Sequence, residues 1–166
     1  MPIIACINTY NSMKGLPQTI NSIRGSVDRI TAVDGAYLDY PYLPKKPYST
    51  DGTIEYLKHI DIPCEIYTRQ QPWKDQMDKR TFYFNGKQGD IYFVIDADEV
   101  LVDPFDRDEI DGMKAKVGWV TIMSALYNNI PYYEPRFFRH LDGMHYAGRH
   151  HWVYSGQGFL VASHRR

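Results

Sequence analysis

Short, mostly apolar runs recur along the first hundred residues, separated by segments in which apolar residues repeat at helical spacing. Apolar runs without polar alternation are typical of strands buried on both faces of a parallel sheet. These runs cover Ile3–Ile7, Arg29–Val33, Cys64–Tyr67 and Ile91–Ile95. The alternation of strand and helix predicts a parallel α/β layer with right-handed crossovers.

Three helices are predicted between these strands. The first covers residues 16–27, where apolar residues recur at steps of four, three and four. The second follows potential capping residues at 49–51 and runs to about Ile60. The third extends from about Trp73 to Asn85, before two glycines that favour its end.

The pattern changes after Asp103-Pro104, where helical periodicity disappears. We predict a strand from Trp119 to Leu126, and strands and loops from Pro131 to Arg166. These strands are expected to join the same sheet in mixed or antiparallel orientation. A chain of 166 residues is expected to form a single domain.

Composition narrows the class of protein. The net charge of -1 gives no general attraction to nucleic acid or to an anionic membrane. No apolar run approaches the roughly 18 residues of a membrane span, and the first residues do not resemble a secretory signal. Cys6 and Cys64 lie in apolar segments, so we expect buried free thiols in a reducing compartment. A cytoplasmic protein without a nucleic-acid partner or integral membrane segment is expected; an oligomer stays open.

One long loop, Ala36–Thr50, carries three prolines and four tyrosines. Loops of this length without regular structure are frequently functional. Our hypothesis is that it forms a mobile flap or contacts an acceptor.

Polar residues follow three of the predicted strands. They are Asn8–Asn11, Asp34-Gly35 and the acidic cluster Asp96-Ala97-Asp98-Glu99. In parallel sheets, ligands bind outside the carboxyl ends of the strands. Three clustered carboxylates repel one another, and a divalent cation such as Mg²⁺ or Mn²⁺ would relieve that repulsion. In an extended stretch Asp96 and Asp98 point the same way, so both are predicted to face the ligand.

These segments resemble family 2 glycosyltransferases with the GT-A fold. Ile91–Leu101 (IYFVIDADEVL) is similar to their D-x-D segment. The other similar segments are Ile3–Asn11, Val33–Gly35, Asp78–Arg80, Pro135–Arg139 and Gly148–His151. The resemblance implies a GT-A-like fold with residues 1–102 as a nucleotide-sugar-binding half and 103–166 as a metal and acceptor half.

The resemblance also implies an activity: inverting transfer from a nucleotide-diphospho-sugar, with a UDP-sugar favoured, to the hydroxyl of an unknown acceptor. Mn²⁺ or Mg²⁺ is the implied cofactor, with Asp96, Asp98 and the additional candidate His151 as its ligands. The implied donor-binding residues are Thr9, Tyr10, Asn11, Asp34, Lys79, Arg80, Asp96, Arg136 and Arg139.

The catalytic base is unassigned. Many members of the family carry a late acidic pair before a helix, and we find no such pair on a recognisable helix after Glu99. Glu134, His150 and His151 are candidates, and His145 lies nearby in the sequence.

Two alternative functions stay open. A haloacid-dehalogenase-type phosphatase also places D-x-D after an apolar strand, with the first Asp as nucleophile. That family has Thr two positions after its second Asp, where this chain has Val100. The second alternative is a degenerate transferase that binds a nucleotide or sugar without catalysis.

Overall fold

The computed structural model describes residues 1–38, 46–123, 130–148, 152–156 and 158–162. In chain order its elements are β1 (Ile3–Thr9), α1 (Leu16–Ile23), β2 (Arg29–Asp34), α2 (Thr53–His59), β3 (Cys64–Tyr67), α3 (Gln76–Thr81), β4 (Ile91–Asp96), α4 (Arg107–Gly112), β5 (Val117–Ile122), β6 (Tyr132–Arg139), β7 (His145–Ala147), β8 (Trp152–Ser155) and β9 (Gly158–Ala162).

The main sheet has six strands in the order β3-β2-β1-β4-β6-β5. Strands β3, β2, β1 and β4 are parallel, whereas β6 is antiparallel to both β4 and β5. The predicted α/β class, with a mostly parallel sheet followed by antiparallel strands, is therefore confirmed. Because β6 runs opposite to β4, its first residues lie beside the carboxyl end of β4 and its last residues beside the amino end.

Side chains of β1 and β4 alternate between two apolar layers. One layer packs Ile3, Ile7 and Phe93 against α1 and α2. The other packs Ile4 and Val94 against aromatic residues near α3 and against the small sheet β7-β8-β9. The uninterrupted apolar strands follow from this arrangement, since both faces of the central strands are covered.

The predicted helices are longer than the observed ones. The first ends at Ile23 rather than near residue 27, because Gly25 adopts a positive φ of 80°. The third begins at Gln76 rather than Trp73. There the Asp75 side chain caps the helix by accepting from Asp78 N at 2.8 Å, while Trp73 N donates to Ala36 O at 2.9 Å.

Two expectations for the second half were wrong. Helix α4 interrupts the stretch that was predicted to lack helices; it is short and carries only one strongly apolar side chain, Ile110, so it leaves no periodic signal. Strands β7, β8 and β9 form a separate sheet instead of joining the main one. Strand β5 covers the start of the predicted 119–126 strand, and residues 124–129 lie outside the described ranges.

Candidate functional site

A polar cleft of about 670 Å³ opens at the carboxyl ends of β1 and β4. Asn8 on β1 is the sheet partner of Asp96 on β4, so the two walls of the cleft begin at neighbouring strand ends. Its lining residues are Asn8, Asn11, Ser12, Lys14, Gly15, Gln18, Gln76, Arg80, Asp96, Ala97 and Asp98. This edge of the sheet is the one that the sequence predicts as the ligand site.

The acidic cluster forms a turn and not an extended stretch. Asp96 is the last residue of β4, and Ala97 and Asp98 lie in a turn beyond it. Asp96 N donates to Glu99 Oε2 at 2.8 Å, and Glu99 N donates to Asp96 O at 3.0 Å. The strand alternation expected for Asp96 and Asp98 therefore does not apply: Asp96 is mostly buried, Ala97 is buried, and Asp98 is exposed on the cleft wall.

Two buried arginines form ion pairs with the carboxylates of this turn. Arg80, which is 5% exposed, places Nη2 2.8 Å from Asp96 Oδ1. Arg136, which is 4% exposed, places Nη2 2.6 Å from Glu99 Oε1 and 3.1 Å from Glu134 Oε2. Burial raises the pKa of Glu99, an effect that the Arg136 charge opposes. Asp96 and Glu99 are thus engaged mainly with the protein itself.

This geometry limits how a metal ion could be held. In the described parts of the chain, no three His, Cys, Asp or Glu side chains come together as a group that could hold a metal by themselves. Mg²⁺ and Mn²⁺ sites commonly use one or two carboxylates and complete their coordination with water and substrate phosphates. Exposed Asp98, beside Asp96, fits a site of that kind. His151, the additional candidate ligand, lies outside the described residues.

The start of α1 packs directly on the acidic turn. A Cβ on Gly15 would lie 2.9 Å from Ala97 O and 3.2 Å from Asp98 Cα. The amide groups of Gly15 and Leu16 both donate to Ser12 O, so these two donors are not available to a ligand. Lys14, exposed on this segment, brings a positive charge to the cleft.

Asp34, a predicted nucleotide contact, is fully buried and engaged. Its carboxylate accepts from Thr9 Oγ1 at 3.0 Å, from Ser49 N at 2.9 Å and from Ser49 Oγ at 2.5 Å. Asp34, which Thr9 contacts, therefore binds the C-terminal end of the Ala36–Thr50 loop through Ser49. The side chains of Asp34 and Thr9 are both almost fully buried, so neither presents a surface to a ligand in this conformation.

Lys79 is also buried, with 2% exposure, and does not line the cleft. Its Nζ donates to Thr9 O at 2.7 Å and to Gly35 O at 2.5 Å, joining the ends of β1 and β2. Burial lowers the pKa of Lys79 to about 7, against the opposing attraction of Asp34. Lys79 and Arg80 of α3 were both predicted to contact the nucleotide-sugar, but only Arg80 lines the cleft.

Tyr10 and Asn11 connect the end of β1 to the loop. Tyr10 OH donates to Lys46 O at 3.0 Å, and Asn11 Oδ1 accepts from Thr50 N at 2.8 Å. Asn11 lines the cleft, in agreement with its predicted position. Residues 39–45 of the loop lie outside the described ranges, so the hypothesis of a flap stays a prediction.

Arg139 lies away from the cleft. It is the sheet partner of Ile91, the first residue of β4, whereas the cleft lies at the opposite end of that strand. Its guanidinium donates to Met113 O. The expected donor contact fails because β6 is antiparallel, which carries Arg139 away from the site that Arg136 adjoins.

The candidate bases are only partly described. Glu134 is 4% exposed and ion-paired with Arg136, which disfavours proton transfer to a ligand. His145 is exposed on β7 and stacks on Tyr154 with ring centroids 5.5 Å apart. His150 and His151 lie outside the described residues, so the base remains unassigned.

Four lining residues were not singled out from the sequence. They are Ser12, Lys14, Gln18 and Gln76. The first three lie around the β1–α1 connection, and a connection that follows a buried parallel strand borders the ligand edge of the sheet. That rule was sufficient to find them.

Within the described ranges, no helix combines the length and apolar character required to cross a lipid bilayer.

No family model matches the chain, and no curated protein matches it in sequence. Three similar solved structures are those of S. aureus TarS 1–349, alone, with UDP-GlcNAc and with UDP. The first has a TM-score of 0.47 and 17% identity, covering 60% of this chain and 28% of that one. The UDP-GlcNAc complex gives 0.46 and 17%, covering 60% and 27%. The UDP complex gives 0.46 and 18%, covering 60% and 28%. This chain spans less than a third of the length of these structures.

Proposed function

We propose that this chain is a metal-dependent glycosyltransferase that takes a sugar from a nucleotide-diphospho-sugar, with UDP as the favoured nucleotide, and transfers it to an acceptor hydroxyl with inversion. The observation that carries the proposal is the polar cleft at the carboxyl ends of β1 and β4, with exposed Asp98 on its wall and Lys14 on its β1–α1 side. Its volume of about 670 Å³ falls within the range of small-molecule sites.

The charges in the cleft suit a diphosphate and its counter-ion. Lys14 is an exposed cation that can pair with phosphate oxygens, and Asp98 supplies the carboxylate for a divalent ion. A bound Mn²⁺ or Mg²⁺ would stabilise the negative charge on the departing nucleotide. Asp96 would be the second carboxylate at this metal site. Arg80 and the turn to Glu99 hold it in place.

Two buried atoms beside the cleft support a polar ligand. Asn8 Oδ1, an acceptor, and Arg80 Nε, a donor, form no hydrogen bond with any described residue. Buried polar groups are nearly always paired in folded proteins. Both atoms are buried, so a ligand hydroxyl could pair with them only after the Asn8 and Arg80 side chains turn toward the cleft that they line.

The phosphatase alternative receives less support from this geometry. It requires Asp96 to attack phosphorus as a nucleophile. A carboxylate that is 2.8 Å from one buried guanidinium and 3.9 Å from a second is stabilised as a charge, and its nucleophilicity is reduced.

Calorimetry with UDP-, GDP-, CMP- and dTDP-sugars, each with and without Mn²⁺, tests the proposal. We expect one nucleotide class to bind more tightly with Mn²⁺ than without it, and we expect this gain to be lost in Asp98→Ala. Asp103→Ala removes an exposed carboxylate a few residues further along the chain and serves as the matched control. Release of the nucleotide with a sugar acceptor would then separate a transferase from a degenerate binding protein. Equal binding by wild type and Asp98→Ala would reject the metal site, and no binding of any nucleotide would reject the proposed function.

A further inference from the structure

Arg136 has four protein partners, although the sequence resemblance implies that it contacts the nucleotide-sugar. Its guanidinium lies 2.6 Å from Glu99 Oε1, 3.1 Å from Glu134 Oε2 and 3.9 Å from Asp96 Oδ2. It also donates to Val94 O at 3.3 Å. The side chain is 4% exposed and does not line the cleft. Its donors are directed to the protein, which leaves little capacity for a ligand.

The charge balance explains why these contacts matter. Asp96, Glu99 and Glu134 converge on Arg136 and Arg80, so three carboxylates face two guanidiniums. Without Arg136, the carboxylates of Glu99 and Glu134 would lose the cation that neutralises both. Unpaired carboxylates in a poorly hydrated position repel one another strongly. The turn after β4 would then relax outward.

Asp98 lies inside the turn that Arg136 secures. The backbone from Asp96 to Glu99 is closed by the 2.8 Å bond from Asp96 N to Glu99 Oε2 and the 3.0 Å bond from Glu99 N to Asp96 O. The remaining oxygen of Glu99 is the one that Arg136 holds. The position of Asp98 therefore depends on the Arg136–Glu99 ion pair, through a turn only four residues long.

We propose that Arg136 is a positioning residue, which orients the Asp98 carboxylate toward a divalent cation without touching the nucleotide or the metal. This inference rests on the proposed function, because it requires a metal at Asp98. The chain of contacts runs from Arg136 to Glu99, from Glu99 to the backbone of the turn, and from the turn to Asp98.

Replacement by lysine separates geometry from charge. Arg136→Lys keeps the positive charge but replaces the planar fork by a single ammonium that cannot reach Glu99, Glu134 and Val94 O together. Arg139→Lys makes the same change three residues later on β6, at the opposite end of the strand from the cleft. It is the matched control for effects on the strand itself.

The test is calorimetry of UDP binding with and without Mn²⁺, for the wild type and both variants, after urea unfolding has shown which are folded at the assay temperature. We expect Arg136→Lys to weaken Mn²⁺-dependent UDP binding about tenfold or more, as for other residues that orient metal ligands, and to leave UDP binding without metal unchanged. Arg139→Lys should match the wild type. If Arg136→Lys does not fold, Glu99→Gln breaks the same ion pair at a less buried position and should give the same pattern.

Three results would overturn the inference. An unchanged Mn²⁺ effect in the folded variant would mean that the turn does not need Arg136. Equal losses with and without Mn²⁺ would assign Arg136 a direct donor contact. Absence of UDP binding by the wild type, with no other nucleotide taking its place, would instead remove the proposed function and the inference together.

Discussion

Gly35 lies so close to Pro47 that a Cβ atom at position 35 would stand 2.5 Å from the Pro47 carbonyl oxygen. Gly35 also has a φ of 123°, a conformation that residues with side chains rarely adopt. Its amide donates to Thr9 O at 3.0 Å, so this glycine links the end of β1 to the loop that returns at Pro47. The Asp34-Gly35 pair is therefore the place where the ends of β1 and β2 meet the loop at Pro47.

Gly35→Ala is expected to lower the free energy of unfolding by about 3 kcal/mol, because backbone strain and a backbone clash act together. Gly25→Ala isolates the strain, since Gly25 has a φ of 80° and nothing within 4 Å of the added Cβ. That control should cost about 1 kcal/mol. Urea unfolding of both variants measures the difference, and equal losses would contradict the clash.

Gly15→Ala tests the packing of α1 on the acidic turn. The new methyl group would press on Ala97 O and displace the turn that carries Asp98. We expect a loss of stability of about 1–2 kcal/mol and a larger proportional loss of Mn²⁺-dependent nucleotide binding. Gly112→Ala is the control, because a Cβ at position 112 has open space. Nucleotide binding that keeps its full Mn²⁺ dependence in Gly15→Ala would show that the turn tolerates the displacement.

Arg80→Met removes the closest cation from Asp96. Removal of one partner of a buried ion pair leaves an uncompensated charge, and the expected loss of stability is about 3–5 kcal/mol. The same substitution in an Asp96→Asn background should cost much less, since the carboxylate charge is then absent. A double-mutant cycle by chemical denaturation gives the coupling energy, and a value near zero would mean that Arg136 alone stabilises Asp96.

Lys79 should make stability depend on pH above neutrality. Its folded pKa of about 7 lies below the value of 10.5 expected when unfolded, so the unfolded chain binds more protons between these values. Stability should rise with pH through this window by about 1 kcal/mol per unit. Lys79→Met should remove the rise.

The window is best sampled between pH 7 and 8.5. Burial raises the pKa of the Cys64 thiol to about 12 from 9.0, so the folded chain retains that proton longer and stability falls at higher pH. Urea midpoints of wild type and Lys79→Met at several pH values give the Lys79 contribution by difference. Parallel pH profiles for the two proteins would show that Lys79 stays charged in the folded state.

Much of the fold was accessible from the sequence because the central strands are buried on both faces. Their continuous apolar runs define β1, β2 and β4 unambiguously, and the parallel arrangement places their ends on one edge. Helix α4 gave no such signal, since one apolar residue in six defines no face. The separate sheet β7-β8-β9 depends on long-range packing against aromatic side chains near α3, which no local pattern encodes.

The candidate site was predicted in position but not in detail. The strand pattern placed Asp34 at the ligand edge of the sheet, the family resemblance added Lys79 and Arg136, and all three were assigned to ligand contacts. Each of them is instead buried among protein partners. Charged residues at strand ends look alike in a sequence whether they face a ligand or hold the backbone, because the distinction depends on partners such as Ser49 and Glu134 that arrive from distant segments.

The central place of β1 has a consequence during synthesis. Strand β1 pairs along one edge with β2, which follows it closely in the chain, and along its other edge with β4, which is made much later. At typical elongation rates this open edge persists for on the order of several seconds. An apolar strand with an unpaired edge is a template for association with other chains. The nascent chain is therefore most vulnerable to aggregation before β4 has left the ribosome, a period in which chaperone binding would protect it.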